Sequence, residues 1–444
     1  MGKKILILFP DGWRVEECCV KSGSTIAPTA PLVLSAYLRK LGHHPLVAPH
    51  PVIGSLSFKM GAAPDAMIIY APWHAFSTVT VPMIQAVKNE YPGCITIMVM
   101  YETLSNFETS AMKECQELDY TVIPNEKEIS VGEIINHGHP RCPGGFGNRA
   151  GIIYRDENNL PRNDGKRPFA NNLSHLPYAG DELRRFIASQ PANKYDRTAI
   201  LLERGCPKTC TFCPIRTTRA RYRDPETAAM ELETAIQIFG KRGVTSLAHE
   251  AFHKKDILEQ FADHIISRKL DLTWDIGARC DLIDDPELLR KLKIAGVKNL
   301  YFGIETATEE GRQKVQKPIK DIDIERAINY AEQAGLAFHA AFMIGFPWED
   351  DDYMVKMKEM LCRITHKNNC GRYILSKLVP FPGLPIEKEV VEAGIIPRLT
   401  TFDDWNRPDE NSCTIVRRTK NLDHYAFEKS FNFVLSDIKK PDNN

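Results

Sequence analysis

Residues 198–214 read TAILLERGCPKTCTFCP, an apolar run followed by Cys206, Cys210 and Cys213 at x3 and x2 spacing between Gly205 and Pro214. The run TAILLE (198–203) reads as a strand, and a regular alternation continues from it. Strand-like VTSLAHE (244–250), LTWDIGARC (272–280), NLYFGIE (299–305), FHAAFMIGFP (338–347) and YILSKLVPFPG (373–383) alternate with helical segments. The helices begin at PETAAMELETAIQIFGKRG, DILEQFADHIISRK, PELLRKLKIAG, IDIERAINYAEQAG and near residue 352. Six strands separated by helices predict a (β/α)6 partial TIM barrel over 196–386, and active sites of parallel barrels gather at the carboxyl ends of the strands.

Upstream, KILILF (4–9), HPLVAP (44–49), AMIIYAP (66–72), CITIMVM (94–100) and YTVIP (120–124) are short apolar runs. Helical segments 31–42, 79–93 and AMKECQELD separate them. Such runs fit a parallel sheet covered on both faces. Residues 1–136 are therefore expected to form a doubly wound, Rossmann-like α/β domain with its ligand at the strand ends. Residues 137–195, rich in Gly, Pro, Asn and charge, read as a connector with a hairpin around GIIYR. Residues 387–444 read as a cap or tail.

The 444 residues carry 57 basic and 57 acidic side chains, so the formal net charge is zero and no basic domain points to nucleic acid. The N-terminal run stops at Pro10-Asp11-Gly12, too short for a signal segment or membrane span, and a cytoplasmic protein is expected. Twelve cysteines in such a chain read as thiols and metal ligands rather than a disulfide scaffold. Nine are scattered, and Cys94 within CITIMV suits a small buried hydrophobe.

The trio allows three readings. Structural zinc normally takes four protein ligands, and no second CxxC or HxxxH lies nearby. A redox CxxC accommodates Cys210 and Cys213 but leaves Cys206 unexplained. A [4Fe–4S] cluster takes four ligands, so three thiolates leave one iron open to a substrate or cofactor.

C-x3-C-x2-C with an aromatic before the last cysteine, after the first strand of a partial barrel, resembles the radical S-adenosylmethionine (SAM) superfamily. The resemblance implies a [4Fe–4S] cluster on Cys206, Cys210 and Cys213, with SAM chelating the open iron. An electron from the cluster then cleaves SAM to a 5′-deoxyadenosyl radical that takes hydrogen from substrate. It also implies SAM contacts. Glu250 stands where relatives hold the SAM amino group, beside a divergent His249. Arg279 stands at a basic SAM contact, Glu305 and Thr306 near the ribose or the radical path, and Gly345, Pro347 and Phe212 around the adenine. LVPFPG (378–383) is close to the family's PxPG.

An α/β domain before such a barrel resembles the cobalamin-binding (class B, B12-dependent) branch. PTAPLVLSAYLRKLGHHPLV (28–47) and PDAMIIYAP (64–72) carry the likeness, and 151–178 resembles its linker. On this resemblance Asp11, Trp73, His74, Tyr101, Thr103 and Leu104 are expected at a corrin. Two stretches depart from it. DGWRVEE (11–17) lacks the histidine of DxHxxG, and PNEKE (124–128) stands for GEGE.

The resemblance implies methyl transfer from methylcobalamin to a substrate carbon, in a small molecule or natural product, with flavodoxin or ferredoxin as reductant. A radical cyclisation, rearrangement or carbon–carbon coupling is the alternative. A tRNA-type methylthiotransferase would need a second N-terminal cysteine trio, and none is evident. A non-catalytic binding protein would be expected to have lost the cluster, but all three cysteines are present. TFDDWNRPDENS (401–412) is a candidate closure for the barrel opening or a plain surface loop.

Overall fold

The computed structural model describes residues 2–10, 26–50, 63–71, 76–100, 107–123, 125–137, 149–241, 244, 250–366, 371–378, 380–381 and 383–394. These fall into two compact units, within Met1–Ala199 and within Ile200–Arg398.

The first unit is built on a seven-stranded sheet. Its parallel strands are β1 (Lys4–Pro10), β3 (His44–His50), β4 (Ala66–Ala71), β5 (Ile95–Met100) and β6 (Tyr120–Val122). Their order is β3-β1-β4-β5-β6, the flavodoxin-like doubly wound arrangement, with a switch point between β1 and β4. Every side chain of β4 and β5 is buried, as expected for strands covered on both faces. The helices are α1 (Thr29–Lys40), α2 (Val81–Glu90), α3 (Phe107–Glu114), α4 (Lys127–His137) and α5 (Gly180–Ala188). The stretch read as a connector adds β7 (Ile152–Arg155) and β8 (Pro161–Asn163), antiparallel, to the sheet edge. A short parallel pair, β2 (Ile26–Ala27) with β9 (Arg197–Thr198), completes the unit.

Helix α3 ends at Glu114, short of the expected AMKECQELD segment (111–119). The reason is Asp119, whose carboxylate accepts from the Thr96 N–H at 2.9 Å and binds Lys88 at 2.6 Å. That anchors this end of the segment to β5 and α2 instead of letting it continue α3.

The second unit centres on four parallel strands in chain order, β12 (Trp274–Ala278), β13 (Val297–Glu305), β14 (Ala337–Ile344) and β15 (Gly371–Lys377). Helices α6 (Pro225–Phe239), α7 (Lys255–Ser267), α8 (Pro286–Ile294), α9 (Glu309–Lys314), α10 (Asp321–Gln333) and α11 (Asp351–His366) alternate with them, and α12 (Pro385–Glu392) follows. Asp224, Asp285 and Thr308 cap α6, α8 and α9 by accepting from first-turn N–H groups. Burial alternates strictly along β14: Phe338, Ala340, Phe342 and Ile344 are buried and their neighbours only half-buried. A Cβ on Gly371 would meet both the Phe338 ring and the Ile364 carbonyl of α11, so the buried face is the helix-covered one. The half-buried face carries Tyr301 stacked on His339, ring centroids 4.6 Å apart.

Of the six expected strands, four pair in this sheet. The segment 198–203 does not join it. Thr198 pairs in the first unit, while β10 (Glu203–Arg204) forms an antiparallel ribbon with β11 (Arg221–Tyr222). Residues 245–249 lie outside the described residues. Leu300, at the centre of β13, is fully buried. Leu300→Ala should cost about 2–5 kcal/mol, read as a lower urea midpoint in tryptophan emission.

Candidate active site

The loop after β10 holds the three cysteines, and its backbone closes on itself. Gly205 opens it at φ 89°. A Cβ there would stand 2.3 Å from the Arg219 carbonyl oxygen, so only glycine fits without moving main chain. The Cys206 N–H donates to Thr218 Oγ1 at 2.8 Å, and the Thr218 N–H donates back to the Cys206 carbonyl at 3.0 Å. The Thr217 N–H reaches the Lys208 carbonyl at 2.8 Å, and the Arg216 guanidinium reaches Thr209 O at 2.8 Å. Two distant segments hold the middle of the loop. The Thr211 N–H donates to Val315 O at 3.0 Å, and the Ile386 N–H of α12 donates to Thr211 O at 3.3 Å.

Cys210 is buried, with Cys206 and Cys213 half-buried. Arg279 Nη1 lies 3.9 Å from Cys210 Sγ, and His253 Nε2 lies 3.7 Å from Cys206 Sγ. Burial pushes the free Cys206 thiol up and Cys213 up to about 12. As thiols they are protonated, and only bound cationic metal would make thiolates of them here. Among the described residues no three His, Cys, Asp or Glu side chains close on a single metal ion. A cubane takes one thiolate per iron, so its ligands stand apart. The donor set fits an iron–sulfur cluster better than zinc.

A buried charge network lies behind the loop. Glu250 is 4% exposed; its N–H donates to Glu203 Oε1 at 2.8 Å, and its own Oε1 accepts the Arg279 N–H at 3.3 Å. Burial pushes the Glu250 carboxyl up to about 7 against the pull of Lys317 and Arg279. Burial, aided by the Glu250 charge, takes Glu203 to about 8. Arg279 is held by Asp281 through two hydrogen bonds of 2.9 and 3.1 Å. Glu305 sits at a register shift in β13 with φ 72°, a left-handed value that a non-glycine residue adopts only under constraint. The constraint is Lys317, whose ammonium meets Glu305 Oε1 at 2.7 Å.

Thr306 is fully buried, its hydroxyl donating to Thr308 O and its carbonyl accepting from Arg312. Gly345 has φ 110° and donates its N–H to Glu349 at 2.6 Å, shaping the turn that carries the buried Pro347. Phe346 stacks on Trp348 at 5.3 Å, and Phe212 meets Phe346 edge-on at 6.4 Å. The structure thus brings Cys210, Glu250 and Arg279 into one network, and Phe212 beside the Gly345–Pro347 turn. Asp11, Trp73, His74, Tyr101, Thr103, Leu104 and His249 lie outside the described residues, as does 401–412. Sequence reasoning assigned no role to Glu203, His253, Asp281 or Lys317. A bare glutamate, histidine, aspartate or lysine carries no motif, and only pairing in space reveals it.

The sequence profile of the radical SAM superfamily matches residues 200–361. These residues form a radical SAM domain. The cofactors of that domain are a [4Fe–4S] cluster and SAM. An uncharacterized methyltransferase of Pyrococcus horikoshii is 26% identical over 72% of this chain and 66% of its own length. An anaerobic magnesium-protoporphyrin IX monomethyl ester cyclase of Rubrivivax gelatinosus is 31% identical over 38% of this chain and 31% of its own. The chain therefore spans about two thirds and about a third of these relatives. The radical SAM methyltransferase TsrM of Kitasatospora setae, solved with cobalamin and a [4Fe–4S] cluster, shares the fold. Its TM-score is 0.68 at 14% identity, covering all of this chain and 92% of that one.

Lys317 and Glu305 are both almost fully buried, so Lys317→Met leaves a carboxylate without its partner in the radical SAM domain. The expected loss is about 3–5 kcal/mol in urea unfolding, largely recovered when Glu305→Gln is added. The raised carboxyl of Glu203 gives a pH signature. The folded protein holds that proton more tightly than the unfolded chain, so its stabilising effect is present at acidic pH and is lost as pH rises towards about 8. Between pH about 5 and about 8.5, wild-type urea midpoints should fall more than those of Glu203→Gln.

Proposed function

We propose that this chain is a cobalamin-dependent radical SAM methyltransferase acting on carbon in a small molecule. The observation that carries the reading is a three-cysteine loop in a radical SAM domain, preceded in the chain by a doubly wound sheet of flavodoxin-like order. The cobalamin-bound methyltransferase TsrM, which shares the fold, and the P. horikoshii relative named a methyltransferase support it. We assign cobalamin to the strand ends of the first unit, where Asp11, Trp73, His74, Tyr101, Thr103 and Leu104 are the candidates.

Cys206, Cys210 and Cys213 would hold the cluster. Glu250 would take the SAM amino group, its carboxylate kept in place by the Glu203 hydrogen bond to its own N–H. Arg279, Glu305, Thr306, Gly345, Pro347 and Phe212 are the further candidates. When bound, the cluster supplies the electron that cleaves SAM and opens the hydrogen abstraction, and cobalamin supplies the methyl group. The chain's own part is to fix charge and exclude water. Phe212 and Trp348, packed on the buried Phe346 cluster, present apolar surface beside the cysteine loop. A flavodoxin or ferredoxin is the proposed reductant. Among the described residues no helix is long and apolar enough to cross a membrane.

A radical cyclisation is the second reading, favoured by the 31% identity to the R. gelatinosus cyclase. Anaerobically reconstituted protein loaded with hydroxocobalamin separates the two. Methyl transfer predicts corrin absorption bands and S-adenosylhomocysteine alongside 5′-deoxyadenosine, whereas cyclisation predicts 5′-deoxyadenosine alone. Cys206→Ala should abolish 5′-deoxyadenosine with little change in circular dichroism; continued cleavage would refute the cluster assignment.

A further inference from the structure

We infer that His253 donates an N–H···S hydrogen bond to the Cys206 thiolate of the cluster and so raises the cluster's reduction potential. The inference rests on the reading of the trio as cluster ligands and on nothing about cobalamin or methyl transfer. His253 closes a single 3-10 turn, Ala251–His253, directly after Glu250. That turn is anchored on its N-terminal side: the Glu250 N–H is held by Glu203, and Ala251 and Phe252 are each 3% exposed. It places the imidazole with Nε2 at 3.7 Å from Cys206 Sγ. That sulfur is the ring's only hydrogen-bond partner among the described residues.

A cluster thiolate has no hydrogen to give, so Nε2 must carry the donated proton. The surroundings agree. Lys208 and Arg279 are the charged neighbours on the positive side, and Asp281 stands opposite them. Cationic neighbours suit a place where an anionic centre is to sit. One-electron reduction adds negative charge, part of it on the thiolate sulfurs, so a donor at a sulfur stabilises the reduced form more than the oxidised one. Arg279 Nη1, at 3.9 Å from Cys210, acts in the same sense on a second sulfur. His253 is thus a positioning residue placed on the turn that also presents the proposed SAM anchor.

The test uses full-length protein reconstituted anaerobically with iron and sulfide, titrated potentiometrically and followed by the electron paramagnetic resonance signal of the reduced cluster. His253→Phe keeps a ring without the N–H, and His253→Gln keeps an N–H. At the wild-type midpoint, the ratio of reduced to oxidised cluster should fall about tenfold in His253→Phe, a shift of about 59 mV for one electron. It should fall less than half as far on the logarithmic scale in His253→Gln. A ratio in His253→Phe within about twofold of wild type would overturn the inference, as would equal shifts in both variants. If His253→Phe binds no cluster, normal iron content and a near-wild-type ratio in His253→Gln support the donor role. Loss of iron from both variants overturns it in favour of a purely structural role. Failure of the wild type itself to take up iron and sulfide refutes the trio assignment, a result distinguishable from all of these.

Discussion

The approach of two backbone strands at Gly205 is the constraint on which the site depends. With the Arg219 carbonyl 2.3 Å from where a Cβ would stand, the chain passes there only as glycine in a left-handed conformation. That crossing lets Cys206 and Thr218 exchange hydrogen bonds and turns the cysteine loop back over its own end. A loop closed in this way presents three sulfurs from ten residues without a helix or strand to carry them. Its remaining freedom is removed by Val315 and by Ile386 of α12, which makes a C-terminal helix part of the wall of the site. Ile386 and Val390 of that helix pack with Val315, Phe346, Leu378 and Leu384 in one apolar cluster bordered by Phe212.

The second organising feature is charge held out of water. Glu203, Glu250, Arg279 and Lys317 are all buried, and Glu305 nearly so. Such groups persist only where each finds a partner, because desolvating a lone charge is expensive. The network leaves net positive groups next to the sulfurs and carboxylates one step away. Burial is the main cause of the raised carboxyls at Glu203 and Glu250.

The two units treat parallel strands differently. In the first, β4 and β5 are buried on both faces, the usual state of a doubly wound sheet. In the second, one face of β13 and β14 lies under helices and the other is half-exposed, with polar and aromatic side chains such as Asn299, Tyr301 and His339 on it. A parallel sheet with an uncovered face is uncommon unless that face is a binding surface or the inside of a barrel. A partial barrel satisfies both conditions.

The cysteine spacing, the glycine before it and the strand–helix period are local properties, so residues 198–214 and the alternation around them were enough to place the trio and the class of fold. The parallel strands appear where apolar runs stand in the chain, because a run of that length has to be covered. Pairings between distant residues were not readable in this way. Lys317 meets Glu305 at a register shift at the end of β13, and a one-residue bulge leaves no mark in composition. His253 reaches Cys206 across 47 positions, and Ile386 reaches Thr211 across a still longer separation. The residues 198–203 read as a strand from their apolar character, yet pair at their two ends with different partners, since hydrogen bonding depends on what lies alongside. The sequence by itself determined which three thiols stand together in one loop. The tertiary structure decided which charges and donors surround them, because those interactions act through space between segments that the chain brings together only on folding.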